Sequence, residues 1–512
     1  MATAVGAPAR AWRRAVSSLA ESARQAARCP RALWGVHLSY LVEGIVYFGL
    51  LTVLGKFCAE NIGLSDLHAG WIYSGVTGGI TLAMLLLGGV CDAMGLRRGL
   101  VLSLALMAAG YGVIAMAGAF PRGLGLGSTP FVVLLAGLFV VVVGFGIYKP
   151  AVYAGVKRYA RPEDAAMAYA VVYGMVNLGS FLTGVISPLV RQRFAAAAPP
   201  NGLTAVFWAY CALAVGAIIL TLVLMTGRAD RAAAAEGQEA ASAGSAVDPD
   251  RLPPARPNNT ATIVWSLLAL LAAAAFFAGV RAAPALGAAG LCLGLAGWAY
   301  LKRRPDHPFR DGRFVAFIFI LIPVQTLLAH QWLTVPYYCD RAFHGTDVSR
   351  YFEFFSNLNP LVIFVVAPVV AALTARTGVY KMMIVGTLVM ALPSFLLGVG
   401  PNTPLFLAYV LLMSIGEAIW QPRFLQWVAE IAPPGKAGLY MGIGQFPWFL
   451  TKLVTGLYSG YFIEHYCPRP ELGLPMRTGE MWVIYGLIAI VSPVALVAGR
   501  RWMGRGPDGR EM

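Results

Sequence analysis

The chain has 512 residues, of which 58% are hydrophobic and only 12% are charged, and its mean hydropathy is +0.68. This composition excludes an ordinary soluble enzyme and indicates a polytopic membrane protein. The formal net charge of +15 raises the question of nucleic-acid binding, which the positions of the 39 Lys and Arg residues answer below.

Apolar runs of about 20 residues are long enough to cross the roughly 30 Å hydrocarbon layer as helices. Fourteen such runs occur along the chain, so we predict an all-α polytopic membrane protein with about fourteen transmembrane helices. Gly and Pro within the runs do not argue against helix, because both are commoner in membrane helices than in soluble ones. The predicted spans are 32–56, 68–90, 99–119, 128–155, 165–190, 203–226, 260–279, 283–301, 314–338, 355–375, 380–399, 404–430, 437–463 and 480–499.

The Lys and Arg residues are distributed unevenly between the two sides of these spans. With the N-terminus inside, most of them lie in segments on that same side. This positive-inside bias predicts that both termini are cytoplasmic. It also explains the net charge, so no nucleic-acid partner is expected. The segment RQRF at 191–194 breaks the bias locally.

The order of segments predicts two halves of six helices with two helices inserted between them. The segments are a basic cytoplasmic tail at 1–31, a six-helix bundle at 32–226, a cytoplasmic linker at 227–259, two extra helices with a basic loop at 260–313, a second six-helix bundle at 314–500, and a tail at 501–512. The spacing of Arg and Ala in the first tail permits an amphipathic helix on the membrane surface, with lipid as its partner, and the alternative is a solvated topogenic tail. A duplicated six-helix unit is typical of transporters whose halves rock about a site near the midplane.

The loop after the second span has a recognisable pattern, Gly88-x-x-x-Asp92-x-x-Gly95-x-Arg97-Arg98. This form and its position resemble the loop signature of the major facilitator superfamily. Asp92 at a helix end, with two Arg nearby, can form charge-assisted contacts that hold the inner side shut. We therefore predict a gating loop, and the alternative is a topogenic loop with no gating role.

Several predicted spans contain charged or titratable side chains, among them Glu43, Lys149, His330, Glu417, Arg423 and Lys452. A charge at a helix centre costs roughly 2.5–3.5 kcal/mol on insertion scales unless it is paired or hydrated. Glu43 and Lys149, which lie in the same half, are therefore predicted to pair. A carboxylate in such a pair can exchange protons, which makes protons a predicted second partner.

Several segments resemble the proton-coupled oligopeptide transporter (POT/PTR) family of the major facilitator superfamily. The resemblance extends over most of the chain. It is carried by EGIVYFG (43–49), GFGIYKP (144–150), VYGMVNLGSFLTGVISPLVR (172–191), NLNPLVIFVVAP (357–368) and IGEAIWQP (415–422). It implies the major facilitator fold, two six-helix bundles plus two inserted helices, in a bacterial inner membrane.

The resemblance also implies roles for individual residues. Glu43 and Lys149 would form the coupling and carboxylate-binding region, Tyr47 and Asn359 would line the cavity, and Glu417 would face a substrate amine. Such a cavity suits a zwitterion such as a di- or tripeptide, because each end of the molecule gains a charge-assisted hydrogen bond.

The chain departs from the family at three places. The first-helix form Glu-x-x-Glu-Arg reads Tyr40, Glu43 and Gly44 here, so one acid and the Arg are missing. His330 and Gln331 stand where the seventh-helix acid of relatives is expected. His can still carry a proton, but a core histidine with hydrogen bonds is an equally good interpretation. We include both residues in the predicted substrate and coupling site.

Other functions and roles remain open at this level. No metalloprotease, nucleophile-elbow, Walker or metal-cluster motif occurs in the sequence, so neither an enzyme nor a cofactor is predicted. The alternatives are an exporter of cationic or amphipathic small molecules, and a transporter-derived receptor. Glu417 has a structural alternative as a partner of Arg423 or Lys452, and Arg423 can instead reach the membrane interface.

Overall fold

The computed structural model describes residues 29–87, 90–120, 125–161, 165–233, 282–302, 307–374, 377–431 and 446–503, with a few isolated residues between these ranges. The predicted first tail, the linker, the last tail and the span 260–279 lie almost wholly outside the described residues. Gly88 and the side chain of Asp92 lie outside them as well. The described ranges contain helices and short turns and no β-strand, as the all-α prediction requires.

Six long helices lie in the described part of the first half. They are α1 (Arg31–Lys56), α2 (Asp66–Leu87), α3 (Leu96–Ala119), α4 (Thr129–Tyr159), α5 (Ala165–Arg193) and α6 (Leu203–Leu224). A π-helical turn, Phe57–Asn61, continues α1, and a short helix, Val90–Met94, precedes α3. Gly95 supplies the sharp turn between that short helix and α3, since its φ of +86° lies in the region that favours glycine.

The later helices follow the same order as the predicted spans. They are α7 (Ala282–Lys302), α8 (Gly312–Ile320), α9 (Ile322–Leu333), α10 (Leu358–Thr374), α11 (Val379–Ala391), α12 (Thr403–Ile431), α13 (Phe446–Tyr466) and α14 (Thr478–Ala498). A 3-10 segment, Leu392–Val399, continues α11. Short turns between Val335 and Ser356 connect α9 to α10.

The described residues form two units. Those within Met1–Ser245, Ile320–Trp427 and Gln445–Met512 make the larger unit, which contains every described residue of the predicted site. Those within Ala246–Phe319 and Val428–Gly444 make the smaller unit, in which Phe314 packs its ring against Tyr440 with 4.9 Å between centroids.

Nine helices among the described residues are long and apolar enough to cross a membrane. Described helices occupy thirteen of the fourteen predicted spans, so the multi-pass prediction is confirmed. The exact number of fourteen stays a prediction, because the remaining span falls almost entirely in the part of the chain that is not described. The segment boundaries also stay predictions.

Local sequence explains where some of these helices begin and how they pack. Ser128 caps α4 by accepting a hydrogen bond from the Phe131 amide at 3.3 Å, and Pro130 follows in the first turn, where its missing N–H costs nothing. Small residues let α1 and α5 approach closely. A Cβ added to Gly44 would lie 2.9 Å from the Val176 carbonyl oxygen, so backbone contact replaces side-chain packing there.

Candidate functional site

Glu43 on α1 and Lys149 on α4 form an ion pair inside the first half. Lys149 Nζ lies 2.7 Å from Glu43 Oε1. The Glu43 side chain is fully buried and that of Lys149 is 14% exposed. The pair predicted from the cost of isolated charges in a membrane is therefore present.

Two tyrosine rings lie against the Lys149 ammonium group. Its Nζ lies 5.0 Å from the ring centroid of Tyr40 and 4.5 Å from that of Tyr47. A cation within about 6 Å of an aromatic face is attracted by the ring quadrupole. Tyr40 occupies the position where relatives carry an additional acid, so here Lys149 has one carboxylate and two ring faces as neighbours.

Gly44, which stands where the family form has an arginine, lies at a close contact between α1 and α5. Gly44 lies against Val176 of α5, and a Cβ added to Gly179 on the same helix would lie 2.4 Å from the Leu41 carbonyl oxygen. A long side chain at position 44 would force these helices apart. Close contact between α1 and α5 therefore takes the place of a long side chain at this position.

Lys452 on α13, in the second half, brings a second ammonium group close to Tyr47. Its Nζ donates a hydrogen bond of 3.1 Å to Tyr47 Oη. The ammonium group also lies 5.1 Å from the Trp448 ring centroid and 5.9 Å from that of Trp332. Lys452 is 8% exposed, and no carboxylate of the described residues forms an ion pair with it. The sequence shows this lysine inside an apolar run but gives no indication of its neighbours.

Glu417 on α12 is held by Asn359 on α10. Asn359 Nδ2 donates to Glu417 Oε2 and to Ser414 Oγ, each at 2.9 Å. Glu417 is 7% exposed. Among the described residues neither Arg423 nor Lys452 pairs with it, so the structural alternative is not observed. Arg423 instead donates to the carbonyl oxygen of Thr374 at 2.5 Å, at the C-terminal end of α10.

His330 and Gln331 on α9 are fully buried. His330 Nδ1 lies 2.7 Å from Thr334 Oγ1, its Nε2 lies 3.0 Å from Tyr458 Oη, and its ring stacks on Tyr485 with 3.7 Å between centroids. Gln331 Nε2 donates to the carbonyl oxygen of Ser356 at 2.5 Å. Both hydroxyl partners of His330 suit a neutral ring, which can donate through one nitrogen and accept through the other.

The predicted gating loop is described only in part. Gly95 begins α3, Arg97 is half-buried and Arg98 is exposed. Within the described residues, Arg97 Nε has no hydrogen-bond partner. The predicted contact of Asp92 lies outside the described part of the chain, and the gating role stays a prediction.

Among the described residues, three ion pairs join the two halves at one end of the helices, which we call the paired end. Its residues are Lys56, Asp66, Arg191, Asp340, Arg341 and Glu353. The pairs are Lys56 with Asp340, Arg191 with Glu353, and Arg341 with Asp66. Arg191 belongs to RQRF, the segment that breaks the charge bias. The ion pair with Glu353 accounts for the presence of Arg191 in this segment. The sequence alone did not indicate this pair.

Metal binding finds no support in the described part of the chain. No group of three or more His, Cys, Asp or Glu side chains there is arranged to hold a metal ion. The described side chains at the site offer ammonium, carboxylate, amide and aromatic groups, which can bind and orient charged solutes.

Long apolar helices, paired charges within them and two halves define a polytopic membrane protein of the transporter type. Residues 36–338 match the family model described as Major Facilitator Superfamily, and the chain belongs to that superfamily. The predicted membership of the major facilitator superfamily is thereby confirmed.

Several individual relatives and solved structures that are similar to this chain bear the names of peptide permeases or peptide transporters. The chain is 24% identical over 508 residues to the dipeptide and tripeptide permease B of Salmonella typhimurium, covering 93% of this chain and 96% of the relative. It is 24% identical to the permease of the same name from Yersinia enterocolitica, covering 91% and 92%. Among solved structures, it is similar to the peptide transporter POT in complex with sulfate, with a TM-score of 0.68, 18% identity and coverage of 93% and 95%. A structure of a proton dependent oligopeptide transporter matches with a TM-score of 0.62, 16% identity and coverage of 91% and 97%. The chain therefore has the fold of the POT transporters.

Proposed function

We propose that this protein is a secondary active transporter that moves small zwitterionic solutes, of the di- and tripeptide type, by alternating access with proton symport. One observation carries the proposal. Buried groups of opposite charge lie on the two halves, with Lys149 beside Glu43 in the first and Glu417 beside Asn359 in the second. The names of its relatives, dipeptide and tripeptide permeases, support the same conclusion.

A zwitterion can satisfy both groups at once. Its carboxylate would bind Lys149 and its ammonium group would bind Glu417, each through a charge-assisted hydrogen bond. Buried charges of this kind are costly in a membrane, and their usual roles there are substrate and ion pathways. Tyr47 and Asn359 contact these charges and would position the substrate between them.

The ion pair also suggests how protons are coupled to the substrate. When a substrate carboxylate binds Lys149, the fully buried Glu43 no longer has a paired cation. Burial then favours the neutral, protonated carboxyl group, so binding of substrate and uptake of a proton reinforce each other. His330 is retained as a further candidate for proton transfer, and Gln331 as a buried neighbour of the site.

The paired end suggests how access alternates. Its three ion pairs connect the halves, so they must break before this end can open. With both termini cytoplasmic, as the charge bias proposes, the paired end faces outward and the gating loop faces inward. The protein would then be a multi-pass protein of the bacterial inner membrane, with lipid as its surroundings and no enzymatic activity.

Uptake into liposomes tests the proposal. Purified protein is reconstituted, an inside-alkaline pH gradient is imposed, and accumulation of labelled Ala-Ala is measured. We expect accumulation above equilibrium in wild type, and its loss in Glu43→Gln and Lys149→Ala. Lys157→Gln is the matched control, because Lys157 is an exposed lysine on α4. Uptake that is absent, or that is indifferent to the gradient, would contradict the proposal.

A further inference from the structure

Lys452 is a buried cation that the proposed exchange between a zwitterion and the two charge sites does not use. It lies on α13 with its ammonium group against Tyr47 Oη at 3.1 Å. Glu43 pairs with Lys149 at 2.7 Å, whereas the ammonium group of Lys452 contacts a neutral hydroxyl group and aromatic rings, and Glu43 attracts it only from beyond ion-pair distance. A desolvated ammonium group without an anion in contact is costly within membrane-spanning helices.

The surroundings of Lys452 favour an anionic ligand over a structural partner. Trp332 and Trp448 flank the ammonium group, and Tyr47 connects it to the site of Lys149, since one ring of Tyr47 contacts both lysines. Aromatic faces and a hydroxyl group reduce the free-energy cost of burying the charge but do not remove it. A carboxylate arriving with the substrate would find a cation that no protein carboxylate of the described residues occupies.

The sum of the charges on the buried side chains of the site indicates the net charge of the substrate that fits it. Glu43, Lys149, Lys452 and Glu417 sum to zero when all are ionised. When Glu43 carries the coupled proton, the sum is +1, and a substrate of net charge −1 restores neutrality. A dipeptide with an acidic side chain has that charge, with one ammonium group for Glu417 and two carboxylates for the two lysines.

We propose that Lys452 binds a second carboxylate of the substrate, so that the protein prefers dipeptides with an acidic side chain over neutral ones. This inference rests on the proposed function. Lys452 acts as a specificity-determining residue that touches the substrate, and Tyr47 keeps its ammonium group near that of Lys149. One proton then accompanies one anionic dipeptide.

The test compares Ala-Glu with Ala-Gln, which have nearly the same shape and differ in one charge. Initial uptake rates are measured in liposomes under an inside-alkaline gradient for wild type, Lys452→Gln, Lys452→Arg and the exposed-lysine control Lys157→Gln. We expect wild type and the control to show a KM for Ala-Glu about tenfold below that for Ala-Gln, the scale of one charge-assisted hydrogen bond. Lys452→Arg retains the preference, and Lys452→Gln brings the ratio of KM values to about one.

The outcomes separate this inference from the proposed function. Wild-type uptake of Ala-Gln with no preference for Ala-Glu overturns the inference and leaves the proposed function standing. A preference that survives in Lys452→Gln overturns it too. Uptake of neither dipeptide by wild type overturns both. If Lys452→Gln does not fold, the wild-type ratio and the behaviour of Lys452→Arg decide the question.

Discussion

Lys149 Nζ and Glu43 Oε1 lie 2.7 Å apart and tie α4 to α1 within a single half of the protein. Because the pair does not cross between the halves, it can persist while they move relative to each other. Under the proposed mechanism a substrate carboxylate competes with Glu43 for Lys149, so the state of the pair would depend on what enters the site. The pair is thus suited to sensing substrate.

The pair has a testable energetic signature. Glu43→Gln or Lys149→Met alone leaves one buried charge without its partner, which should destabilise the protein by about 3 kcal/mol. The double variant removes both charges and should recover much of that loss. Thermal unfolding of the four purified proteins in detergent measures the coupling. Additive effects of the two single changes would show that the residues do not stabilise each other.

Glu417 is expected to recognise the amino terminus of the substrate, because its carboxylate is fixed by Asn359 and has no protein cation beside it among the described residues. Glu417→Gln should raise the KM for Ala-Ala about tenfold, the scale of one charge-assisted hydrogen bond. The weak uptake of N-acetyl-Ala-Ala should change little. Glu464→Gln, an exposed glutamate on α13, is the matched control. Equal losses for both solutes would rule out this role.

Arg341 is expected to hold the paired end closed. It donates to both carboxylate oxygens of Asp66, at 2.7 and 2.9 Å, and to the carbonyl oxygen of Cys467 at 2.9 Å. Arg341→Ala removes all three contacts, so it should shift the protein towards the state that is open at this end. In a variant that retains Cys467 as its single cysteine, maleimide labelling should become at least about tenfold faster, because Cys467 is fully buried in the closed end.

The control for this experiment is Arg477→Ala, since Arg477 is exposed and pairs with its near neighbour Glu480 rather than across the halves. Its labelling rate should match that of the parent. If Arg341→Ala leaves the labelling rate of Cys467 unchanged, the paired end does not control access.

His330 is expected to stabilise the second half, and its part in proton coupling can be separated from that role. Both ring nitrogens face hydroxyl groups, and the ring stacks on Tyr485. His330→Gln should lower the free energy of unfolding by about 1–3 kcal/mol, through lost hydrogen bonds and packing. We expect gradient-driven uptake to persist in this variant at more than half the wild-type rate. Loss of the gradient dependence, with uptake retained, would instead make His330 a proton carrier.

Sequence reasoning reached much of the fold because membrane insertion imposes strong rules. The length of apolar runs and the distribution of Lys and Arg follow directly from the thickness and charge preferences of the bilayer. The pairing of Glu43 with Lys149 followed from the cost of isolated charges. These are local or additive properties that a single sequence displays.

Contacts between helices that lie far apart along the chain could not be predicted from the sequence in this way. Lys452 and Tyr47 are 405 residues apart, and Arg191 and Glu353 are 162 residues apart. Which face of each helix meets its neighbour depends on packing, including the close approach of Gly44 to α5. The sequence therefore showed that Lys452 needs compensation but not that an aromatic site provides it.

Proton movement that accompanies substrate tests the central claim most directly. Liposomes containing the protein and an internal pH-sensitive dye are mixed with unlabelled dipeptide, with no imposed pH gradient. We predict internal acidification that depends on the dipeptide, is absent in Glu43→Gln and is unchanged in Lys157→Gln. Entry of dipeptide without any acidification in wild type would contradict proton symport through the Glu43–Lys149 pair.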